Sequence, residues 1–239
     1  MLILCLDTSA GSAVALCEGR TVLARAESVD QRRHAETLTP LVRDVLAQAG
    51  RAPGDLDAVA VGTGPAPFTG LRVGLVTART TAHALGIGLH GVSSLDVLAR
   101  QVLDAAPGAG DVVVATDARR KEVYWARYRA DGADDVARLA GPEVSAPDEL
   151  AARLVAGDAR DEGADAGGAV LAGRGTELYP AALPSAPGLP VTLDPAVLAR
   201  IVTARLARSA GGVEVELGTE PLYLRRPDVT MSAGRKRAS

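Results

Sequence analysis

MLILCLDTSAGSAVALCEGRTVLARAES, residues 1–28, holds three apolar runs of strand length, at 1–9, 12–18 and 21–28, separated only by Ala10-Gly11 and Gly19-Arg20. Connections this short and glycine-bearing join antiparallel neighbours, because a parallel crossover needs a dozen or more residues. The opening therefore reads as a three-stranded meander. Its first strand is apolar at nearly every position, as expected of a strand covered on both faces.

Working outward, residues 31–50 (QRRHAETLTPLVRDVLAQAG) place Ala35, Leu38, Leu41, Val42, Val45, Leu46 and Ala49 at the spacing of an amphipathic helix ended by Gly50. Pro40 is expected to kink this helix or start it afresh. LDAVAVG (56–62) reads as a strand. Thr69 then caps a helix running to about Leu85, IGLHGVS (87–93) is a further strand, and a helix follows from Ser94 to about Ala106. Three meandering strands followed by helix-linked ones give a mixed sheet covered by helices, the order of a ribonuclease-H-like lobe.

The second half restarts the pattern with strands at 111–118 and 122–130, another at 169–175, and a helix from about Asp194 to Ser209. An Asp stands at the first turn of both halves, Asp7 and Asp117, as a duplicated design would place it. The division expected is a first lobe over 1–108, a second over 109–225, and a basic, disordered tail over 226–239, with AAPGAG (105–110) at the boundary.

At 239 residues and 47% hydrophobic composition the chain can fill one or two substantial cores. No apolar run reaches the roughly 18 residues of a membrane span, so a cytoplasmic protein is expected, with no membrane partner. Cys5 and Cys17 read as buried, reduced thiols. A net charge of −3 and only 3% aromatic residues argue against an autonomous nucleic-acid binder.

VGTGPAPFTGLRVG (61–74) invites comparison with a phosphate-binding loop and fails it. It has no lysine, so it is not a Walker loop, and Pro67 stands at the third glycine of a dinucleotide fingerprint. Pro65 and Pro67 also delete N–H donors that an anion would need. The loop instead suits the presentation of Phe68 to a partner, with Gly70 and Gly74 admitting close approach of another helix; packing of Phe68 into its own core is the equal alternative. Asp7-Thr8-Ser9 resembles the phosphate hairpin of actin-like ATPases, where an Asp manages magnesium, and equally suits a side-chain-bonded tight turn. Its counterpart TDARRKEVYW sets Arg119 and Arg120 where such an ATPase offers glycine and a hydroxyl. A working actin-fold ATPase or small-molecule kinase is the rival that Arg119 opposes. The three histidines form no zinc pattern and no serine lies in a nucleophile elbow, so neither a metal nor a peptidase centre is expected.

In order and spacing, MLILCLDTS, HAETLTPLV, VGTGPAPFTGLRVG, TDARRKEVYWA and PLYLRRPDV resemble the TsaB (YeaZ) family across nearly the whole chain. The resemblance implies a two-lobed actin-like ATPase (ASKHA) fold. It also implies the role of noncatalytic dimerisation subunit in the bacterial machinery that makes threonylcarbamoyladenosine in tRNA. The partner implied is the catalytic subunit TsaD, bound directly, or a second copy of the chain when TsaD is absent. The ATPase TsaE joins the complex, tRNA is met only through it, and no cofactor is intrinsic, with ATP or ADP at the TsaD interface as the one nucleotide to consider. The family loop usually reads Gly-Pro-Gly-Ser-Phe-Thr-Gly-Leu-Arg, and here Ala66 and Pro67 replace its Gly-Ser. Carried onto this chain, the partner-binding set is His34, Leu38, Leu41, Val42, Phe68, Thr69, Gly70, Leu71, Arg72 and Gly74. The vestigial nucleotide set is Asp7, Thr8, Ser9, Asp117 and Arg119.

Overall fold

The three apolar runs pair as an antiparallel meander: β1 (Leu2–Asp7), β2 (Ser12–Glu18) and β3 (Thr21–Ser28). The structure is a computed structural model describing residues 1–28, 34–156 and 169–225, without the side chains of His34 and Ala35; the basic tail lies outside the described residues. After α1 (His34–Gln48), β4 (Ala58–Gly62) joins β1 in parallel, and after α2 (Phe68–Leu85), β5 (Gly88–Val92) joins β4 in parallel. The sheet order is β3-β2-β1-β4-β5. Central β1 is buried at all six positions, which explains its unbroken apolar run.

A second sheet of order β8-β7-β6-β9 repeats the plan without a fifth strand. It comprises β6 (Asp111–Asp117), β7 (Val123–Asp131), β8 (Asp135–Ser145) and, beyond α4 (Pro147–Ala156), the short β9 (Val170–Ala172), parallel to β6. The five-residue α5 (Arg174–Leu178) follows, and α6 (Ala196–Ala210) is the last regular element among the described residues.

The halves exchange helices. After α3 (Ser94–Ala105) leaves the first sheet, its Leu95, Leu98 and Val102 pack on Val112, Val114 and Tyr128 of the second. α6 returns to the first, setting Leu198, Ile201 and Val202 against Ile3, Cys5 and Ala60. The seam between them is pinned by buried ions: Arg205 on α6 pairs with Asp96 on α3 and with Asp135 on β8, both carboxylate side chains being 2% exposed. Tyr128 also donates its hydroxyl to Asp96, and burial, followed by that neighbouring carboxylate, pushes its phenol well above the usual value. Breaking one partner of such a pair leaves an uncompensated charge, so the lobes are held in one relative placement.

α1 is unbroken through Pro40, where a kink or restart is expected from sequence. α2 begins at Phe68, one residue before Thr69, with Pro67 as its N-cap making no side-chain bond, so Thr69 is not the cap. Gly86, at φ 66°, closes α2 in the left-handed conformation that favours glycine.

Candidate functional site

Two surfaces collect the sequence-selected residues: a cleft between the lobes and the outer face of α1 and α2. The cleft, of about 320 Å³, is lined by the ends of both first turns, including Thr8, Ser9, Thr116, Asp117 and Arg119, together with Thr69, Ser94 and Arg174. Asp7, 2% exposed, spends its carboxylate internally. Its Oδ1 accepts from the Ser9 N–H at 2.7 Å and Ser9 hydroxyl at 2.6 Å, and its Oδ2 from the Ser94 hydroxyl at 2.6 Å. Gly62 makes room for this, since a Cβ there would stand 1.7 Å from Oδ2.

Across the cleft, Asp117 accepts from the Arg119 N–H at 2.7 Å and forms an ion pair with its guanidinium at 3.0 Å. Burial, then the Asp117 charge, raises the Tyr124 phenol above its usual value, so that neighbour stays neutral. One carboxylate is thus bound by hydroxyls and the other by a cation. Among the described residues, no group of three or more His, Cys, Asp or Glu side chains is placed to hold a metal ion.

The glycine- and proline-bearing loop between β4 and α2 is fastened down as well. Thr63 N–H donates to the Val92 carbonyl at 2.8 Å and Gly64 N–H to the Ser94 hydroxyl at 3.2 Å, while the Gly64 carbonyl accepts from Ser94 N–H at 2.7 Å. With two prolines besides, Thr63 and Gly64 spend their N–H groups on β5 and the start of α3, which leaves the loop few donors for a phosphate.

The partner set divides in two. Leu38 and Leu71, 1% and 0% exposed, belong to the first-lobe core. Gly70 and Gly74 admit the first turn. Thr8 donates its hydroxyl to the Gly70 carbonyl at 2.9 Å, and a Cβ at Gly74 would lie 2.4 Å from that hydroxyl. Leu41 and Val42 are half-buried, Thr69 and Arg72 exposed, and His34 opens α1 with its side chain outside the described residues.

Phe68 is half-buried beneath the segment that follows α6. Its ring lies 4.9 Å from that of Tyr223, the Arg72 guanidinium stacks 3.8 Å above it, and Arg72 Nε donates to the Tyr223 hydroxyl at 3.2 Å. The alternative of an internally packed Phe68 is thus met by a chain segment 155 positions away in sequence.

Sequence reading missed the outward stripe of α2. Val76 is 61% exposed, and Thr80 and Ala84 continue the stripe beside an apolar groove of about 330 Å³ that also takes in Val42, Leu46, Leu56 and Leu85. The signal was present in LRVGLVTARTTAHAL as a second face three and four residues apart, opposite the Gly70, Gly74, Ala78 and Ala82 face.

The sequence model of the family described as "TsaD: tRNA N6-adenosine threonylcarbamoyltransferase" matches residues 22–183, more than half of the chain. Among solved structures, YeaZ from Pseudomonas aeruginosa superposes with a TM-score of 0.73 at 30% identity, covering 93% of this chain and 99% of that one. A second Pseudomonas aeruginosa structure, titled an uncharacterized protein with similarity to peptidase YEAZ, gives a TM-score of 0.75 at 32% identity over 94% and 99%. The chain belongs to the TsaB/YeaZ family.

Curated relatives agree. The Escherichia coli "tRNA threonylcarbamoyladenosine biosynthesis protein TsaB" is 39% identical over 132 residues, 55% of this chain and 56% of that protein. An uncharacterized Mycobacterium tuberculosis protein is 52% identical over 125 residues, 52% and 54% of the two chains. The matched part spans about half the length of these curated relatives. The two lobes of mixed sheet and helices are the fold shared with the YeaZ structure, here with the carboxylate of each cleft turn bonded within the chain. No described helix is long and apolar enough to cross a membrane.

Proposed function

We propose that this protein is a noncatalytic assembly subunit of the machinery that makes threonylcarbamoyladenosine in tRNA, binding the catalytic subunit TsaD through α1 and α2. The observation that carries the noncatalytic reading is the pair of spent carboxylates, Asp7 held by Ser9 and Ser94 and Asp117 by Arg119. A general acid, base or magnesium ligand needs a carboxylate with a lone pair turned to its substrate.

The docking reading is supported by the apolar groove between α1 and α2 and by Val76, the most exposed large hydrophobic side chain among the described residues of the first lobe. A helix-on-helix interface here would bury on the order of 1,200–2,000 Å², with Val76 and Val42 central and Thr69 and Arg72 toward one end. A second copy of the chain would use the same face when TsaD is absent. TsaE and tRNA belong to the assembly beyond this contact, and any ATP or ADP at the TsaD interface would be held chiefly by the partner.

Size-exclusion chromatography with light scattering, on the chain alone and mixed with TsaD of the same organism, tests this. Val76→Asp should leave the subunit folded, since exposed positions shift stability by only about 0.5 kcal/mol, and should weaken the complex roughly tenfold or more. A folded Val76→Asp variant that binds TsaD as well as the wild type would remove the α1/α2 face from the proposal.

A further inference from the structure

The β6–β7 turn is unlike any other in the described chain. Arg119, Arg120 and Lys121 are consecutive, exposed and all left-handed, with φ of 63°, 53° and 62°. Every other described residue with positive φ is a glycine. Left-handed backbone is disfavoured for residues bearing a Cβ, and strained positions concentrate where a side chain must be presented in one direction. The turn is nevertheless closed in an ordered way, by Ala118 N–H on the Glu122 carbonyl at 3.0 Å and Glu122 N–H on the Arg119 carbonyl at 3.0 Å. Its counterpart in the first lobe, Thr8 to Gly11, carries no charge.

The C-terminal segment is led to this same turn. From α6 it crosses the edge of the first sheet, where the Leu217 carbonyl accepts from Gly91 N–H at 3.0 Å, then passes Thr63 through a Leu222 N–H bond of 2.9 Å. It ends its described course with Arg225 donating to the Ala118 carbonyl at 3.0 Å and paired with Glu122. Gly91 is needed for that path, because a Cβ there would meet the Gly218 carbonyl oxygen at 2.1 Å.

Four cations, Arg119, Arg120, Lys121 and Arg225, therefore stand at one turn, where among the described residues Asp117 pairs with Arg119 and Glu122 with Arg225. In sequence the chain continues from that point with Arg226, and Arg235, Lys236 and Arg237 follow against the single acid Asp228. The last fifteen residues of the sequence are therefore basic in a chain whose net charge is −3. The cations at the turn are gathered from two distant parts of the chain.

We propose that the β6–β7 turn with Arg225 is a docking surface for the phosphate backbone of a folded RNA, guiding tRNA onto the assembly without reading its sequence. Guanidinium and ammonium groups held apart on a stiff turn suit phosphates spaced along a backbone, and the few aromatic residues leave bases unread. The inference rests on the tRNA-modifying role proposed above and adds to it a direct contact, where the family resemblance implies contact only through the complex.

The test is fluorescence anisotropy of a labelled tRNA transcript titrated with the full chain across a salt series. Arg120→Asn with Lys121→Gly removes two charges and replaces two left-handed residues by types that accept that conformation, so folding is preserved or improved. The expected result is an affinity at least fivefold weaker near about 50 mM salt, and a slope of log affinity against log salt shallower by about 2, one for each lost phosphate contact. Arg20→Asn with Arg43→Asn changes net charge equally on remote exposed sites and should leave both unchanged. TsaD binding by each variant is followed separately by size exclusion, so failure of the docking face and failure of the RNA surface are distinguishable. Equal weakening by the control pair overturns the inference, as does wild-type chain that fails to bind the transcript at low salt. So does a turn variant that loses TsaD while keeping RNA, which would assign the turn to an acidic protein partner.

Discussion

The two lobes begin with the same device, a strand ending in Asp and a tight turn into an antiparallel partner, and the two copies have been put to opposite uses. In the first, Asp7 is sealed inside: Gly62 clears space for its carboxylate, Ser9 and Ser94 bind it, and Thr8 locks the turn onto α2. In the second, Asp117 is a quarter exposed and bound by Arg119, while the residues after it face outward on a left-handed backbone. One turn buries its carboxylate and the other holds its carboxylate at the surface. Both carboxylates that border the cleft between the lobes are thus already bonded within the chain.

If that contrast is right, the first turn should be intolerant and the second permissive. The largest effect is expected from Gly62→Ala, whose methyl would collide with the Asp7 carboxylate and dislodge a bonded network within the sheet. A loss of about 3 kcal/mol or more, read as a lower urea midpoint, follows from overpacking plus broken charge-assisted bonds. A midpoint within error of the wild type would mean that Asp7 can move freely, and the sealed-turn reading would fail.

Next in size is the paired comparison of Asp7→Ala with Asp117→Ala. Removing Asp7 strips a buried anchor from three donors and should cost about 2–3 kcal/mol, whereas Asp117 pairs with an Arg119 side chain that is 54% exposed, where screening leaves less than about 1 kcal/mol. Equal losses would show the two turns to be alike in burial.

How far this asymmetry is legible in sequence differs between the halves. In the first lobe, apolar alternation and glycine punctuation fix nearly every element, because both faces of β1 are buried and its run is unbroken. In the second, β8 escapes: DVARLAGPEVS carries Gly-Pro in its interior, which argues against a strand. The structure accommodates it because Gly141, at φ 81°, lies so close to β7 that a Cβ would meet the Trp125 carbonyl oxygen at 2.7 Å, beside an irregular register. The candidate sites were half legible for a related reason. Residue type marked Phe68 with Gly70 and Gly74 as a presented set, to which the family resemblance added Leu71, yet the side of α2 facing the core is fixed by Thr8 and by Tyr223, from distant parts of the chain. Local periodicity offers two faces of that helix and does not say which one the rest of the fold will cover.

The smallest effect is also the one of opposite sign. Lys121→Gly replaces a left-handed residue bearing a Cβ by one without that penalty, relieving roughly 1–2 kcal/mol while adding about 0.5–1 kcal/mol of unfolded-chain entropy. A net gain of about 0.5–1 kcal/mol in urea unfolding is expected, and Thr8→Gly in the first turn should instead destabilise by deleting the bond to Gly70. A stabilised Lys121→Gly chain with weakened RNA binding would mean that stability is given up to hold a cation in place. An unchanged or destabilised chain would mean that the left-handed run is sustained by lysine contacts, and its reading as a strained presentation of charge would lose its main physical support.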